Sequence, residues 1–304
     1  MSPSPPYPPK NWSLGGAPTR TTDIPITAVF LVLYVCLAAT HMTILQLNLR
    51  RGHKFLFNGA LFGFCTSRVI TMSLRLASIC NPTNLRLALA AQIFVAAGVL
   101  VVFVINLLWT QRVVRSLHPS FGWSRGASFA LKPLWVLIFL TLAALITTIV
   151  QSFYTLRPRT LFIDRAVQLY GVTFLAFVAF LPLPVLAVAF AVPRKHSHEK
   201  FGTGSLAGKI AILVTGVLLV SFGASYRAGT MWLTPVSRHE ALPAYFAKAA
   251  FYVVDFGVEI LTVSLYALAR VDLRFHVPDG AKGPGSYEKR EMIEEDGEKG
   301  EMDV

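Results

Sequence analysis

The sequence predicts an all-α, polytopic integral membrane bundle of seven transmembrane helices, with the N-terminus lumenal or outside and the C-terminus cytosolic. Three observations carry that prediction: composition, the spacing of apolar runs and the distribution of loop cations. The 304 residues are 54% hydrophobic and only 14% charged, far less charge than a soluble chain of this length carries. Seven apolar runs of spanning length follow one another, at roughly 24–47, 55–76, 87–109, 132–153, 167–192, 209–229 and 244–269, since about 20 residues cross a bilayer core. Short polar loops such as LRRGHK, HPSFGWSRG, TLRPRT and PRKHSHEK separate them and leave no room for a soluble domain.

Orientation follows from the cations. The first, third and fifth loops with the proximal tail hold 14 Lys and Arg, against seven on the other side. The richer side is cytosolic by the positive-inside rule. The sequon Asn11-Trp12-Ser13 then lies on the lumenal side, which makes Asn11 a candidate glycosylation site. Lys and Arg outnumber Asp and Glu by 28 to 16, yet most of the bases flank apolar runs. They therefore read as helix anchors, and nucleic acid is not an expected partner.

The runs divide the chain into three parts. Residues 1–23 are rich in Pro, Ser and Gly and predict a disordered segment. The first apolar run starts at Ile24 and is too long for the h-region of a cleavable signal peptide. Residues 24–270 form the seven-helix membrane domain. Residues 271–304 form a charged tail, also expected to be disordered; ten of the 16 acids lie in 270–304. Within the domain, CNPTN at 80–84 predicts a tight lumenal turn. LPLP at 181–184 predicts a bend or break in the fifth span, whose freed carbonyls must be satisfied by protein.

The last span carries the chemistry. In FYVVDFGVEIL (251–261) two carboxylates, Asp255 and Glu259, stand one helical turn apart inside an apolar run. Lys248, Tyr252, Asp255, Glu259, Thr262, Tyr266 and Arg270 fall on one helical face, which must look into the bundle because lipid cannot satisfy it. The second span offers Asn58, Cys65, Arg68 and Arg75, and an Arg68–Asp255 pair is within reach. Arg227 in the sixth span and Asn106 in the third extend the polar core, so Arg68, Arg75, Arg227, Tyr252 and Asn106 are the candidate partners. Lys248 and Arg270 read as snorkelling anchors near helix ends, and His41 as a packing residue.

Such a constellation can simply fix helix register, but several costly intramembrane charges together favour function. Two carboxylates a turn apart in a low-dielectric interior cannot both ionise cheaply. One would act as acid while an arginine holds the other as carboxylate, so Asp255 and Glu259 are the candidate catalytic pair. Aromatic faces could stabilise a transient cation; Tyr170, Phe174 and Phe177 form one row, with Phe103, Phe222, Tyr226, Phe251 and Phe256 on other spans.

Other signals fail. GTGSLAGK (202–209) imitates a phosphate loop, but its spacing is one residue too long and no strand precedes it. His196 and His198 have no further metal ligands near them in sequence, and His239-Glu240 lacks the second histidine of a zinc protease helix. Cys36, Cys65 and Cys80 show no disulfide or zinc spacing. Neither a cofactor nor a metal is expected.

The stretch SRVITMSLRLASICNPTNLRLALAAQIFVAAGVLVVFVINLLWTQRVVRSLHPSFGW (67–123) resembles a family of fungal seven-span proteins often labelled receptor-like. The same broad group is similar to the membrane-bound terpene cyclases of meroterpenoid secondary metabolism, of the ascofuranone and macrophorin type. The resemblance covers the membrane region, rests on no short diagnostic motif and transfers no catalytic residue. It implies a hydrophobic prenylated substrate, such as a farnesylated phenol with or without a terminal epoxide. Acid-initiated cation cyclisation would proceed in the endoplasmic reticulum or another endomembrane. The alternative is an orphan G-protein-coupled-receptor-like protein of the plasma membrane, with a G protein as partner. Against it, WTQR ends the third span without an acidic residue before Arg112, and the seventh span has no N-P-x-x-Y. A proton-coupled transporter is a third reading, without a visible inverted repeat.

Overall fold

The computed structural model describes residues 4–193 and 198–287. Arg194, Lys195 and His196 of the fifth loop and the acidic residues 288–304 lie outside the described residues. The described chain is helical, with an isolated bridge between Asn11 and Ser237 as its extended pairing. Its helices are α1 (Arg20–Arg50), α2 (Phe57–Cys80), α3 (Leu85–Gly98), α4 (Leu100–Leu117) and α5 (Pro119–Gly122). There follow α6 (Arg125–Tyr154), α7 (Pro158–Phe180), α8 (Pro182–Ala191) and α9 (Leu206–Trp232). The last run comprises α10 (Lys248–Ala250), a π-helical turn (Phe251–Gly257), α11 (Val258–Leu268) and α12 (Val271–Arg274).

Among the described residues, six helical runs are long and apolar enough to cross a membrane: Arg20–Arg50, Leu85–Leu117, Arg125–Tyr154, Pro158–Ala191, Leu206–Trp232 and Lys248–Leu268. Their packing is inverted relative to a soluble bundle. The buried residues of α1 are Asp23, Thr27, Tyr34, His41 and Asn48, while Val29, Val32, Leu33 and Val35 are exposed. On α6, Val136, Leu137, Phe139 and Leu140 likewise point outwards. An apolar exterior around a polar seam is stable only where the surrounding solvent is hydrocarbon.

Two of the six runs are broken. The fifth apolar run divides at Leu181, between α7 and α8, where LPLP places proline at the start of the next helix. The third divides at Val99, a break without proline whose cause is an arginine from α2, described below. α2 runs antiparallel to α1. It starts where Phe57 meets Trp109 of α4, ring centroids 5.9 Å apart, and ends where Arg20 Nη2 donates to the Cys80 carbonyl at 2.9 Å.

Segments that composition leaves without regular structure close both ends of the bundle. Within 1–23, the Tyr7 amide donates to the Phe153 carbonyl at 2.7 Å, the Trp12 amide to Val236 at 2.9 Å and the Gly15 amide to Phe246 at 3.0 Å. α1 starts at Arg20, inside that segment. A Pro- and Gly-rich stretch cannot build its own ladder, yet its backbone donors find carbonyls in neighbouring loops.

At the opposite end, residues 271–287 fold beneath the bundle. Fully buried Phe275 stacks on Trp109 at 4.6 Å. Tyr287, also buried, lies 5.7 Å from both Trp123 and Phe201. The Thr203 amide donates to the Leu273 carbonyl at 2.9 Å, and the Gly285 amide to Glu199 Oε1 at 2.6 Å. The His276 ring rests against the His53 ring, centroids 3.8 Å apart.

Burial, helped by His53 and the Arg112 guanidinium and opposed by Asp279, pushes His276 down to about 4. The docked tail therefore binds fewer protons than the free one, whose imidazole titrates near 6.5. Docking is strongest above that value and weakens as the pH falls through 6 towards 4. Hydrogen-exchange protection of residues 271–287, taken relative to the unstructured chain at the same pH, will fall across that window, and His276→Gln will flatten the dependence. An unchanged profile in the variant would assign the effect to another group.

Candidate functional site

Where α1, α2 and the last span meet, three clusters of charged and polar groups lie along the bundle. In the first, Arg68 and Glu259 form a forked pair, with Nη2 2.6 Å from Oε1 and Nε 2.7 Å from Oε2. Their side chains are 0% and 2% exposed, and the Tyr34 hydroxyl adds a hydrogen bond to Oε2 at 3.2 Å. Nη1 of Arg68 donates to the carbonyls of Phe94 at 2.9 Å and Val95 at 3.2 Å. Val95 opens the last turn of α3, where a helix leaves acceptors without intrahelical donors, and Phe94 immediately precedes it. Gly98 makes the approach possible, because a Cβ there would lie 2.7 Å from Nη1. The break at Val99 is built around this arginine.

Asp255 does not join it. The expected Arg68–Asp255 pair is replaced by Arg68–Glu259, and Asp255 instead faces Arg227 of α9, Nε to Oδ1 3.6 Å. The cause is the turn Phe251–Gly257, which is π-helical. Its i→i+5 winding rotates Tyr252 and Asp255 away from the face that an α-helix would share with Glu259. Asp255 is 3% exposed and Arg227 21%. At 3.6 Å the contact is electrostatic and beyond hydrogen-bond range. Oδ1 receives no hydrogen bond among the described residues.

The third cluster lies one turn further along. The Tyr252 hydroxyl donates to Asp23 Oδ1 at 2.9 Å and shares a hydrogen bond with Thr27 at 2.9 Å. Arg75 Nη2 reaches Asp23 Oδ1 at 3.3 Å, and Lys248 pairs with Asp23 Oδ2. The sequence reading placed Asp23 in a disordered segment and Lys248 at a snorkelling position. Both instead clasp α1 to the last span. A signal was available: Asp23, Thr27, Tyr34, His41 and Asn48 repeat at helical spacings of 4, 7, 7 and 7 along one face of α1.

Asn106 lies apart from the ion pairs, on α4, where its Oδ1 accepts from the Tyr266 hydroxyl at 2.6 Å. His41 Nε2 contacts the Val263 carbonyl at 3.3 Å. Asn11 is exposed and bridges to Ser237. The aromatic row on α7 turns outwards: Tyr170 is 50% exposed and Phe177 55%, and Phe222 of α9 is 56% exposed. They cannot line an interior cavity, because α7 buries the face of Asp164, Gly171, Leu175 and Val178 instead. The interior rings already hold cations. Phe64 and Phe256 flank the Arg68 guanidinium at 5.4 and 5.6 Å, and Phe251 lies 4.2 Å from that of Arg75. No three His, Cys, Asp or Glu among the described residues are placed to hold a metal ion.

Chemically, Glu259 is saturated and Asp255 is not. A buried carboxylate oxygen without a donor costs about 1–3 kcal/mol and calls for an explanation. No curated protein and no solved structure matches the chain. A family model described as a protein of unknown function (DUF3112) matches residues 203–276, the stretch that holds Arg227, Asp255 and Glu259.

Proposed function

We propose that the chain is a seven-span membrane protein of an endomembrane, most simply the endoplasmic reticulum, that cyclises a prenylated small molecule by acid-initiated chemistry. α2 serves as the seventh span; its 24 residues have the length for it, and its arginines are compensated inside the bundle. The N-terminal segment and Asn11 then face the lumen and the docked tail faces the cytosol, in line with the loop cations. The observation that carries the catalytic reading is Asp255: a buried carboxylate on a π turn, with an unsatisfied oxygen and a loosely held arginine. Such turns recur at functional sites, and a buried carboxylate with a free acceptor oxygen in an apolar surrounding is a candidate for acid–base work.

In this reading Asp255 protonates a terminal epoxide or olefin of a farnesylated phenol. The C–O or π bond opens, an internal alkene supplies the electrons for the new C–C bond, and loss of a proton ends the sequence. The product has the mass of the substrate. Glu259 is a positioning residue that holds Arg68, Tyr34 and the last span in register. The receptor reading is less well supported, because residues 271–287 already fill the end of the bundle that a cytosolic partner would enter.

Microsomes containing the protein will convert a farnesylated phenol, with or without its terminal epoxide, to an isomer of unchanged mass. Asp255→Asn will abolish that product at wild-type protein levels. Retained turnover in the variant would remove Asp255 from the chemistry, and no isomer from either substrate would remove the cyclase reading.

A further inference from the structure

The start of α6 carries cations that the bundle does not use. Several others at the tail-covered end are committed to it: Arg112 to the Phe275 carbonyl, Arg115 to that of Gly122 at 3.2 Å and Arg274 to that of Ala269 at 2.8 Å. Arg125 and Lys132 are exposed and form no ion pair among the described residues. Lys132 Nζ lies 5.8 Å from the Phe129 ring centroid. α6 holds no acid of its own, and none occurs in the chain between Asp23 and Asp164.

These cations top an apolar stripe. Arg125, Phe129, Lys132, Val136 and Phe139 follow one another at spacings of 4, 3, 4 and 3, which is one face of a helix. All five are exposed; Phe129 is 69% open, Val136 59% and Phe139 70%. Val136 and Phe139 belong to the exterior that meets hydrocarbon. Lys132 and Arg125 therefore stand where that exterior reaches the headgroup layer, with their stems along apolar surface and their charges in water.

The order of groups along the stripe defines its partner. A soluble anion would use the cations and leave Phe129 and Val136 idle. A neutral lipid would use the apolar part and leave the cations without a counter-charge. A lipid with a net negative headgroup matches both, its acyl chains along Val136 and Phe139 and its headgroup between Lys132 and Arg125. Those two residues are about 10 Å apart along the axis, a gap their long side chains close. We propose that this face of α6 binds an anionic phospholipid from the leaflet at the tail-covered end. The proposal does not rest on the catalytic reading.

Protein in nanodiscs of equal phosphatidylserine and phosphatidylcholine would be released and weighed by native mass spectrometry, which reads the lipids it retains. Phosphatidylserine is expected to exceed phosphatidylcholine. Each cation near an anionic headgroup layer strengthens binding about five-fold, so Arg125→Gln with Lys132→Gln should lower the retained phosphatidylserine at least that much. Lys54→Gln with Lys282→Gln removes two exposed cations from loops at the same end and should change nothing. All four side chains point outwards, so both variants should melt as the wild type does. Equal retention of the two lipids, or unchanged retention in the α6 variant, would overturn the proposal. An equal loss in the loop variant would overturn it in favour of diffuse surface charge. Carbodiimide coupling of Lys132 to a carboxylate of residues 288–304 would overturn it in favour of the chain's own acidic end.

Discussion

Replacing Arg68 by Met will cost about 3–5 kcal/mol of stability, the expected penalty for leaving one partner of a buried ion pair alone. Glu259 would lose both of its short bonds, at 2.6 and 2.7 Å, in a position with no access to solvent. The carbonyls of Phe94 and Val95 would lose their donor as well. Glu259→Gln should be milder, because the amide can still accept from the guanidinium. The double variant Arg68→Met with Glu259→Leu should recover most of the loss, since apolar replacement of a whole buried pair is often neutral. Denaturation in detergent, run as a double-mutant cycle, measures the coupling directly. A single Arg68→Met variant within 1 kcal/mol of wild type would mean that water or lipid headgroups reach the pair.

Gly223→Val is expected to destabilise the bundle by about 1–3 kcal/mol, the range for forcing extra volume into a packed interior. It should also reduce turnover beyond that loss. A Cβ at Gly223 would sit 2.9 Å from the carbonyl oxygen of Val254 and 3.1 Å from Val258 Cγ2. The first obstacle is backbone, so no rotamer change relieves it. α9 and the π turn would have to separate, and Arg227, one turn beyond Gly223 on α9, would move relative to Asp255. Gly229 supplies the control, because nothing lies within 4 Å of a Cβ there; Gly229→Ala should be neutral. Wild-type stability and turnover in Gly223→Val would show that the contact between α9 and the π turn is not tight.

Membrane character was legible because it is a property of runs and averages. Twenty or so apolar residues commit a segment whatever its neighbours do, and the loop cations accumulate a bias that no single residue carries. The polar face of α1 was equally open to view in its heptad spacing, yet a boundary drawn at Ile24 hid Asp23, four residues before Thr27. The identity of the pairs was not legible. Spacing on one helix gives a face, whereas an ion pair also depends on the rotation and depth of the helix opposite.

The sequence by itself determined that the chain is helical and apolar, that several of its segments can span a membrane, and that Asp255 and Glu259 lie in the last of its apolar runs. Only the tertiary structure decided that Arg68 takes Glu259 and leaves Asp255 to Arg227. It also decided that α3 ends at Gly98, that Asp23 and Lys248 join the polar seam, and that residues 271–287 cover one end. The physical reason is one of range. Apolar runs act through local transfer free energy, which is nearly additive along the chain. Pairings depend on a π turn and a glycine contact that shift side chains by a few ångströms, and on partners nearly two hundred residues away in sequence.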